Sequence, residues 1–531
     1  MRRLLALAAA AVAVTAAGTA VAATDVKPYA RAVPGSGWTV TPLWSAGDVV
    51  AESVNPGRQY RMVGIPDGLG IYDAVDDVRL LMTHELPQDA ISDPRIARAP
   101  QRGAFATEVR MTHLGEILSA RRAFDTVYQD RALVGPAADV SNTTRAFSRW
   151  CSAFLAGRRE GFDRRIFFAN EETQPEDAEP DGSRAPTESF SPLGSQSVAI
   201  FDNQAHALSR LGHFPRENTV VMRGTGRRTV ILVTEDGPRT PDSQLYLYVG
   251  RKDRSSDNPL RRNGLDNGTL YAFASDDARD SENQLLQGDK VRGHWVRIDG
   301  AERLTDVQTE DWLDSAGAFA FVRLEDGEFR PRHRRQFWFT ATGDQQAADE
   351  ADPHTNELGR LYRLKLRSRR NPLKGATIKQ VYNADQLGPG QDGPLTPDNV
   401  DVTRNYIFIN EDGTSGSPDD DGTTGSRDDL DARNRDGSIW RLRLSTAGDP
   451  ATFERLVELV GASEGGRDGV TTIDENQRRH GIWETSGTVD ARHLLGLRSF
   501  LFDVQAHKPT TPPGGEGVTV EDGQLMLLRR E

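Results

Sequence analysis

Short apolar runs along this chain end abruptly in acids. The clearest is Val230-Ile-Leu-Val-Thr-Glu-Asp-Gly237. The same ending closes Leu80-Leu-Met-Thr-His-Glu85, Ile166-Phe-Phe-Ala-Asn-Glu-Glu172 and Tyr406-Ile-Phe-Ile-Asn-Glu-Asp-Gly413, and more loosely Phe500-Leu-Phe-Asp-Val-Gln505. An apolar run of this kind predicts a β-strand, and charge confined to its tip delivers carboxylates to one place. A second element recurs as glycine followed by alternating apolar positions: Gly268-Thr-Leu-Tyr-Ala-Phe273, Gly359-Arg-Leu-Tyr-Arg-Leu364, Gly437-Ser-Ile-Trp-Arg-Leu442 and Gly523-Gln-Leu-Met-Leu-Leu528. Glycine at a turn and alternation after it describe the return strand of a hairpin.

Helical periodicity is scarce, and 50 glycines with 28 prolines interrupt the chain. The pattern predicts that Trp38 to Ser45 opens the folded body and that Gly64 to Gly70 is a turn. Asp93 to Leu118 reads as the longest helical passage, part of an insertion reaching Arg131 that could cap a channel. Ser197–Phe201, Thr219–Met222, Val230–Thr234 and Gln244–Val249 read as one four-stranded meander of propeller-blade size. Strand tips at residues 85, 171, 235, 340, 411 and 503 divide the chain into six units. The expectation is therefore an all-β protein, a β-propeller of six blades with long loop and short helical insertions, forming one domain over residues 23–531.

Residues 1–22 carry two arginines, an alanine-rich apolar core and Ala20-Val-Ala22, the pattern of an export signal. No later stretch approaches the roughly 18 apolar residues of a membrane span, which predicts a secreted, extracellular or periplasmic protein, monomeric and without a transmembrane segment. The formal net charge is −13; residues 1–22 hold two of the 65 basic residues and none of the 78 acidic ones, so their removal leaves −15. An acidic surface argues against nucleic acid and anionic membrane as partners and favours bound cations. The single cysteine, Cys151, rules out an intramolecular disulfide framework. Its thiol is either a small buried apolar group or a metal ligand.

If the tips converge, Glu85, Glu171, Glu172, Glu235, Asp236, Glu411 and Asp412, with Asp398 just upstream of the last pair, form a crowd of like charges. Hard cations resolve that crowding, and oxygen donors with little His or Cys point to calcium, magnesium or manganese. Each Glu-Asp-Gly run read alone is an ordinary solvated turn, and Asp67 is either a turn residue or a ligand. Asp419 to Asp431 reads as a flexible acidic loop or a peripheral calcium site. The basic run Arg332-His-Arg-Arg335 reads as a strand-edge gatekeeper or as a contact for an anionic substrate. No nucleophile elbow, Walker loop or HExxH supports serine hydrolase, NTPase or zincin chemistry.

Taken together, Arg61-Met-Val-Gly-Ile-Pro-Asp-Gly-Leu-Gly70, Thr83-His-Glu85, Ala169-Asn-Glu-Glu172, Leu245-Tyr-Leu-Tyr-Val-Gly250, Pro397-Asp-Asn399, Asn410-Glu-Asp412 and Trp483-Glu-Thr-Ser-Gly487 resemble the PhoX-type alkaline phosphatases. The resemblance implies a six-bladed propeller with a calcium and iron cluster in its channel, acting on phosphate monoesters outside the cytoplasm. It also implies an iron-binding cysteine where this chain has Asn170 and a phosphate-holding arginine where it has Thr396, so the chain reads as a divergent member. The expected function is a secreted metal-dependent hydrolase of a small phosphate ester, with Ca2+ and possible Fe3+ as cofactors. A non-catalytic calcium-stabilised extracellular binding propeller and a lactonase or esterase on the same scaffold stay open beside it.

Overall fold

The computed structural model describes residues 24–173, 188–237, 242–343, 354–412, 430, 433, 435, 437–460, 483–507, 512–515 and 517–531. The export-type segment, the polar loop 175–184 and the acids of the 419–431 cluster lie outside the described residues.

Antiparallel pairing organises the strands into six consecutive four-strand meanders. Unit I is Pro66–Asp73, Val78–His84, Phe105–Met111 and Ile117–Arg122; unit II is Trp150–Ala156, Ile166–Glu171, Ser197–Phe201 and Gln204–Ala207. Unit III is Thr219–Val221, Arg228–Thr234, Leu245–Arg251 and Thr269–Ser275; unit IV is Leu324–Phe329, Gln336–Ala341, Arg360–Leu366 and Ala376–Asn383. Unit V is Pro397–Val402, Tyr406–Glu411, Ser438–Arg443 and Glu454–Leu459. Unit VI is Trp483–Asp490, Ser499–Ala506 and Asp522–Arg530, completed by Trp38–Ser45 from the other end of the chain, with Trp38 opposite Arg530. Units III and IV are joined into one sheet by Lys290–Ile298, which pairs with the outer strand of each.

The first strand of each unit packs against the first strand of the next, and that of unit VI returns to that of unit I. This cyclic arrangement makes the fold propeller-like and leaves no long unpaired edge at its centre. Close approach at the axis constrains the sequence: a Cβ on Gly68 would lie 2.3 Å from the backbone nitrogen of Ala153 in unit II. Both faces of each unit are buried against neighbours, so Val230, Ile231, Leu232 and Val233 are all fully enclosed and the second strands show continuous apolar runs rather than alternation. Aromatics fill the seams: between units V and VI, Phe408 and Phe500 lie 4.3 Å apart, with Trp38 covering both. Burial of each such ring contributes roughly 1.5–3 kcal/mol.

Several expectations change. Asp93 to Leu118 is not helical: its apolar residues serve strands Phe105–Met111 and Ile117–Arg122, the outer half of unit I, and 105–111 alternates as a strand should. Among the described residues the longest helix is instead Asp306–Ala316, begun by a Thr305/Gln308 capping box and ended by left-handed Gly317. Gly64 to Gly70 is no turn; Pro66 to Asp73 is the innermost strand of unit I. The meander begun at Ser197 spans two units, because Ser197–Phe201 pairs with Ile166–Glu171 while unit III begins at Thr219. Three of the glycine-led return strands are third strands, but Thr269–Ser275 is the fourth of its unit. The six counted tips fall on or just beyond the second strands of units I to VI.

Candidate metal centre

Six equivalent positions meet at one end of the axis. They are the second residue of the first strand in five units, namely Asp67, Cys151, Glu325, Asp398 and Glu484, and in unit III Glu217, two residues ahead of its strand. None is more than 7% exposed. In three units the residue two positions earlier, Arg149, Arg323 or Thr396, has φ between 39° and 49°, a left-handed kink that turns the chain into the channel. A non-glycine residue held there stores strain of about 1 kcal/mol or more.

Potential ligand atoms form three linked triads, each within 4.8 Å: Asp67 with Glu85 and Cys151; Cys151 with Glu172 and Glu217; and Glu217 with Glu325 and Asp398. The Cys151 thiol donates to Asp67 Oδ2 at 3.3 Å. Burial, reinforced by neighbouring carboxylates, holds Asp67, Glu217, Asp398, Glu325 and Glu484 well above the usual carboxylate range, and burial raises the Cys151 thiol as well. Asp67 Oδ1, Glu217 Oε2 and Asp398 Oδ1 are buried with no hydrogen-bond partner. A buried oxygen without a partner costs about 1–3 kcal/mol, and divalent cations would satisfy these oxygens and reverse the pKa shifts together. The donor set, carboxylate oxygens with one sulfur, fits hard cations around the ring and a softer transition metal at the thiolate.

A polar floor closes the channel behind the ring. Asn399 Nδ2 donates to Ser152 Oγ across the axis at 2.6 Å, and Gly487 N donates to Asn399 Oδ1 at 2.7 Å. Asn218 Nδ2 and Val400 N donate to Asp326, whose carboxyl burial lifts to about 6.

On the open side the second strands end in a rim of Glu85, Glu172, Asp236, Thr342, Asp412 and His507, each except Asp236 one residue beyond the position facing the start of its first strand, and Asp236 three beyond the partner of Thr219. Two cations stand among them. Arg323 donates twice to Asp236, both at 2.9 Å, and lies 3.3 Å from Glu325. Arg149, half exposed, lies 3.8 Å from Glu85. His507 is 2.9 Å from Glu521; burial works against its charge, but that contact prevails and the imidazole pKa is raised.

The residues predicted from sequence separate into three groups. Glu85, Glu172 and Asp398 belong to the triads. Asp236 and Asp412 stand on the rim. Glu171, Glu235 and Glu411 turn away and brace loops instead. Glu171 accepts from the backbone N–H groups of Ser148, Phe190 and Gln196 at 2.9–3.2 Å. Glu235 accepts from Gln244 N at 2.8 Å and Tyr246 Oη at 2.9 Å. Glu411 accepts from Leu395 N at 2.7 Å and from both terminal nitrogens of Arg435, at 2.6 and 2.9 Å.

Asn170 lies beside the ring with Nδ2 on Ser152 O at 2.9 Å, and register places Cys151 next to it on the adjacent strand. The Thr396 hydroxyl donates to Asp412 O at 2.6 Å. Asp67, left open between a turn residue and a ligand, is fully buried in the ring. Sequence reasoning missed Glu217, Glu325 and Glu484. For Glu484 the signal was present as a repeated step of large apolar residue or proline, then acid or cysteine, then small residue, shared by Pro66-Asp67-Gly68, Trp150-Cys151-Ser152, Pro397-Asp398-Asn399 and Trp483-Glu484-Thr485; Glu325 in Leu324-Glu325-Asp326 follows it loosely and Glu217, after Arg216, does not. The basic run Arg332–Arg335 lies in the turn between the first two strands of unit IV, at the opposite end of the axis, and does not reach this centre.

A family model described as alkaline phosphatase PhoX matches residues 199–451. Among solved structures, Pseudomonas fluorescens PhoX in complex with vanadate, a transition-state analogue, aligns with a TM-score of 0.61 at 16% identity, covering 97% of this chain and 98% of that one. RAG in complex with one melted and one unmelted RSS aligns at a TM-score of 0.32 and 11% identity, over 93% of this chain and 99% of that one, too low to carry an argument. No curated protein matches the chain. The chain is thus similar in sequence to a family of metal-dependent phosphatases over unit III, unit IV and much of their neighbours, and similar in fold over nearly its whole length.

Proposed function

We propose that this chain, a divergent relative of the PhoX alkaline phosphatases, is a six-bladed propeller over residues 23–531 that hydrolyses phosphate monoesters outside the cytoplasm. The observation that carries the reading is the set of partnerless buried oxygens on Asp67, Glu217 and Asp398 within three linked ligand triads. Asp67, Glu85, Glu172, Glu217, Glu325 and Asp398 would hold calcium, and Cys151 supplies the one sulfur donor suited to iron. When bound, such cations supply an acidified water and neutralise charge developing on a phosphoryl group.

The chain's own groups divide the remaining work. Arg323 sits on the open side of the ring as a fixed positive charge for a phosphoryl group, its guanidinium fork held by both oxygens of Asp236 and lying close to Glu325. Arg149, on the same side in unit II, adds a second positive charge where Thr396 supplies none. The floor through Asn399 and Asp326 excludes water from behind. Thr396 and Asn170 at the family's arginine and cysteine positions support a second reading, a calcium-stabilised binding propeller without turnover.

Stripping the protein with chelator, restoring calcium, iron or both, and assaying a phosphomonoester, a phosphodiester and a lactone tests these readings. Monoester turnover that returns with metal is the expected result. Turnover of the lactone alone would move the assignment to an esterase. A raised melting temperature with no turnover on any substrate would favour the binding propeller.

A further inference from the structure

In a four-strand antiparallel meander, the turns between first and second strands and between third and fourth strands share one end. Here that end is opposite the acidic mouth, and in units III, IV and V it is crowded with cations. The first turn of unit IV carries Arg330, Arg332, Arg334 and Arg335, and the second carries Arg367, Arg369, Arg370 and Lys374. Arg227 and Arg228 come from the corresponding turn of unit III, and Arg404 from that of unit V. All but Arg330 are exposed. Between Arg360 and Lys379 the sequence has eight basic residues and no acid.

Backbone carbonyls tie these turns into one surface. Arg335 Nη1 donates to Arg367 O at 3.0 Å, Arg228 Nη1 donates to Arg370 O, and Arg330 donates to Arg404 O at 2.9 and 3.0 Å. Each of these bonds consumes one or two donors and leaves the positive charge uncompensated. The carboxylate of Asp276, 2.8 Å from Arg367, offsets one of them. A gatekeeper protecting a strand edge needs one or two charges; four turns from three units sharing a face exceed that purpose. Net charge is a sum over the whole chain, so the acidic total conceals this local cluster of bases, although the 252–268 turn of unit III at the same end also carries Asp253, Asp257 and Asp266.

We propose that the far face docks on an anionic lipid bilayer, holding the mouth of the metal centre away from the membrane. Two features select a lipid surface over a nucleic acid. Leu373, 38% exposed, projects from a single helical turn between Arg370 and Lys374, as an apolar group entering a headgroup layer does. The four turns carry no Phe, Tyr or Trp on which an unpaired base could stack.

Flotation of the full chain with vesicles of phosphatidylcholine alone, or of phosphatidylcholine and phosphatidylglycerol in equal parts, tests the proposal. Binding to the anionic vesicles only, with release at high salt, is the expected result. The combined variant Arg332→Glu, Arg334→Glu, Arg335→Glu, Arg369→Glu, Arg370→Glu should bind them more than about a hundredfold less tightly, with any hydrolysis of a soluble substrate unchanged. Leu373→Ser should weaken binding about tenfold at an unaltered melting temperature, which keeps the test decisive if the five-fold variant misfolds. Failure to bind anionic vesicles, equal binding to neutral ones, or capture by soluble polyphosphate or DNA but not by vesicles would overturn the proposal.

Discussion

Glu171 and Glu172 are adjacent in sequence, yet they belong to different regions of the molecule. Glu171 is enclosed in its unit and accepts three backbone N–H groups; Glu172 faces Cys151 and Glu217 across the channel. The same division separates Glu235 from Asp236 and Glu411 from Asp412. The strand pleat explains it, since successive side chains point to opposite sides. What differs is compensation: the bracing carboxylates are buried with their hydrogen bonds made, while Asp67, Glu217 and Asp398 of the ring are each buried with an oxygen left open. Buried acids of the first kind support the fold, and those of the second kind await a cation.

The largest expected effects would break the two regions separately. Glu217→Gln or Glu325→Gln should reduce metal-dependent turnover by about a thousandfold or more, while the chelated protein melts no lower than the parent, because a repelling charge has been removed. Turnover within tenfold of the parent would take the ring out of the chemistry. Arg435→Ala should do the reverse: it leaves Glu411 buried without its ion pair and should lower stability by about 3–5 kcal/mol, measured by denaturant unfolding, while the folded fraction keeps its kcat.

A smaller effect follows from pH. Burial raises Glu171 from 4.5 to about 7 and Glu235 from 4.5 to about 8. A folded-state pKa above the unfolded one favours the folded protein at low pH, and that contribution is lost as pH rises through the folded value. In chelator the melting temperature should therefore fall between about pH 4.5 and about pH 8, and the ring acids Asp67, Glu217 and Asp398, also raised by burial, add to the fall; with calcium bound the ring is held deprotonated and only the part due to the braces should remain. Equal slopes with and without calcium would contradict the assignment of the ring to metal. The smallest effect expected is at the rim: Arg149→Ala should raise KM for a phosphomonoester about tenfold, the worth of one charged hydrogen bond, with little change in kcat.

Much of this arrangement was legible from residue order. The five apolar runs, with the tip counted at 340, located every second strand, because a strand buried on both faces needs a continuous apolar stretch. The ring was only partly legible. Its members stand singly at, or just before, the starts of the innermost strands, as in Arg216-Glu217-Asn218, where no long apolar run draws attention to the acid. The tips were over-read for the same reason, since a doubled acid conveys that charge is present but not which member faces the channel. Asp93 to Leu118 misled because its apolar residues are punctuated by Arg and Glu at spacings that also fit a helix, while pairing of 105–111 with Val78–His84 decided the outcome. The far-face charge was visible as Arg332–Arg335, but its partners at 227–228, 367–374 and 404 meet it only through the fold.

The most direct test of the central claim is the metal content of the protein purified without chelator, set beside two double variants, Glu217→Gln/Glu325→Gln in the ring and Glu171→Gln/Glu235→Gln in the braces. The ring variant is expected to lose bound calcium, and iron where present, while remaining folded; the brace variant is expected to keep its metal per folded molecule and melt at a lower temperature. Full metal occupancy in the ring variant, or loss of metal from a folded brace variant, would contradict the division of these carboxylates into a metal centre and its supports.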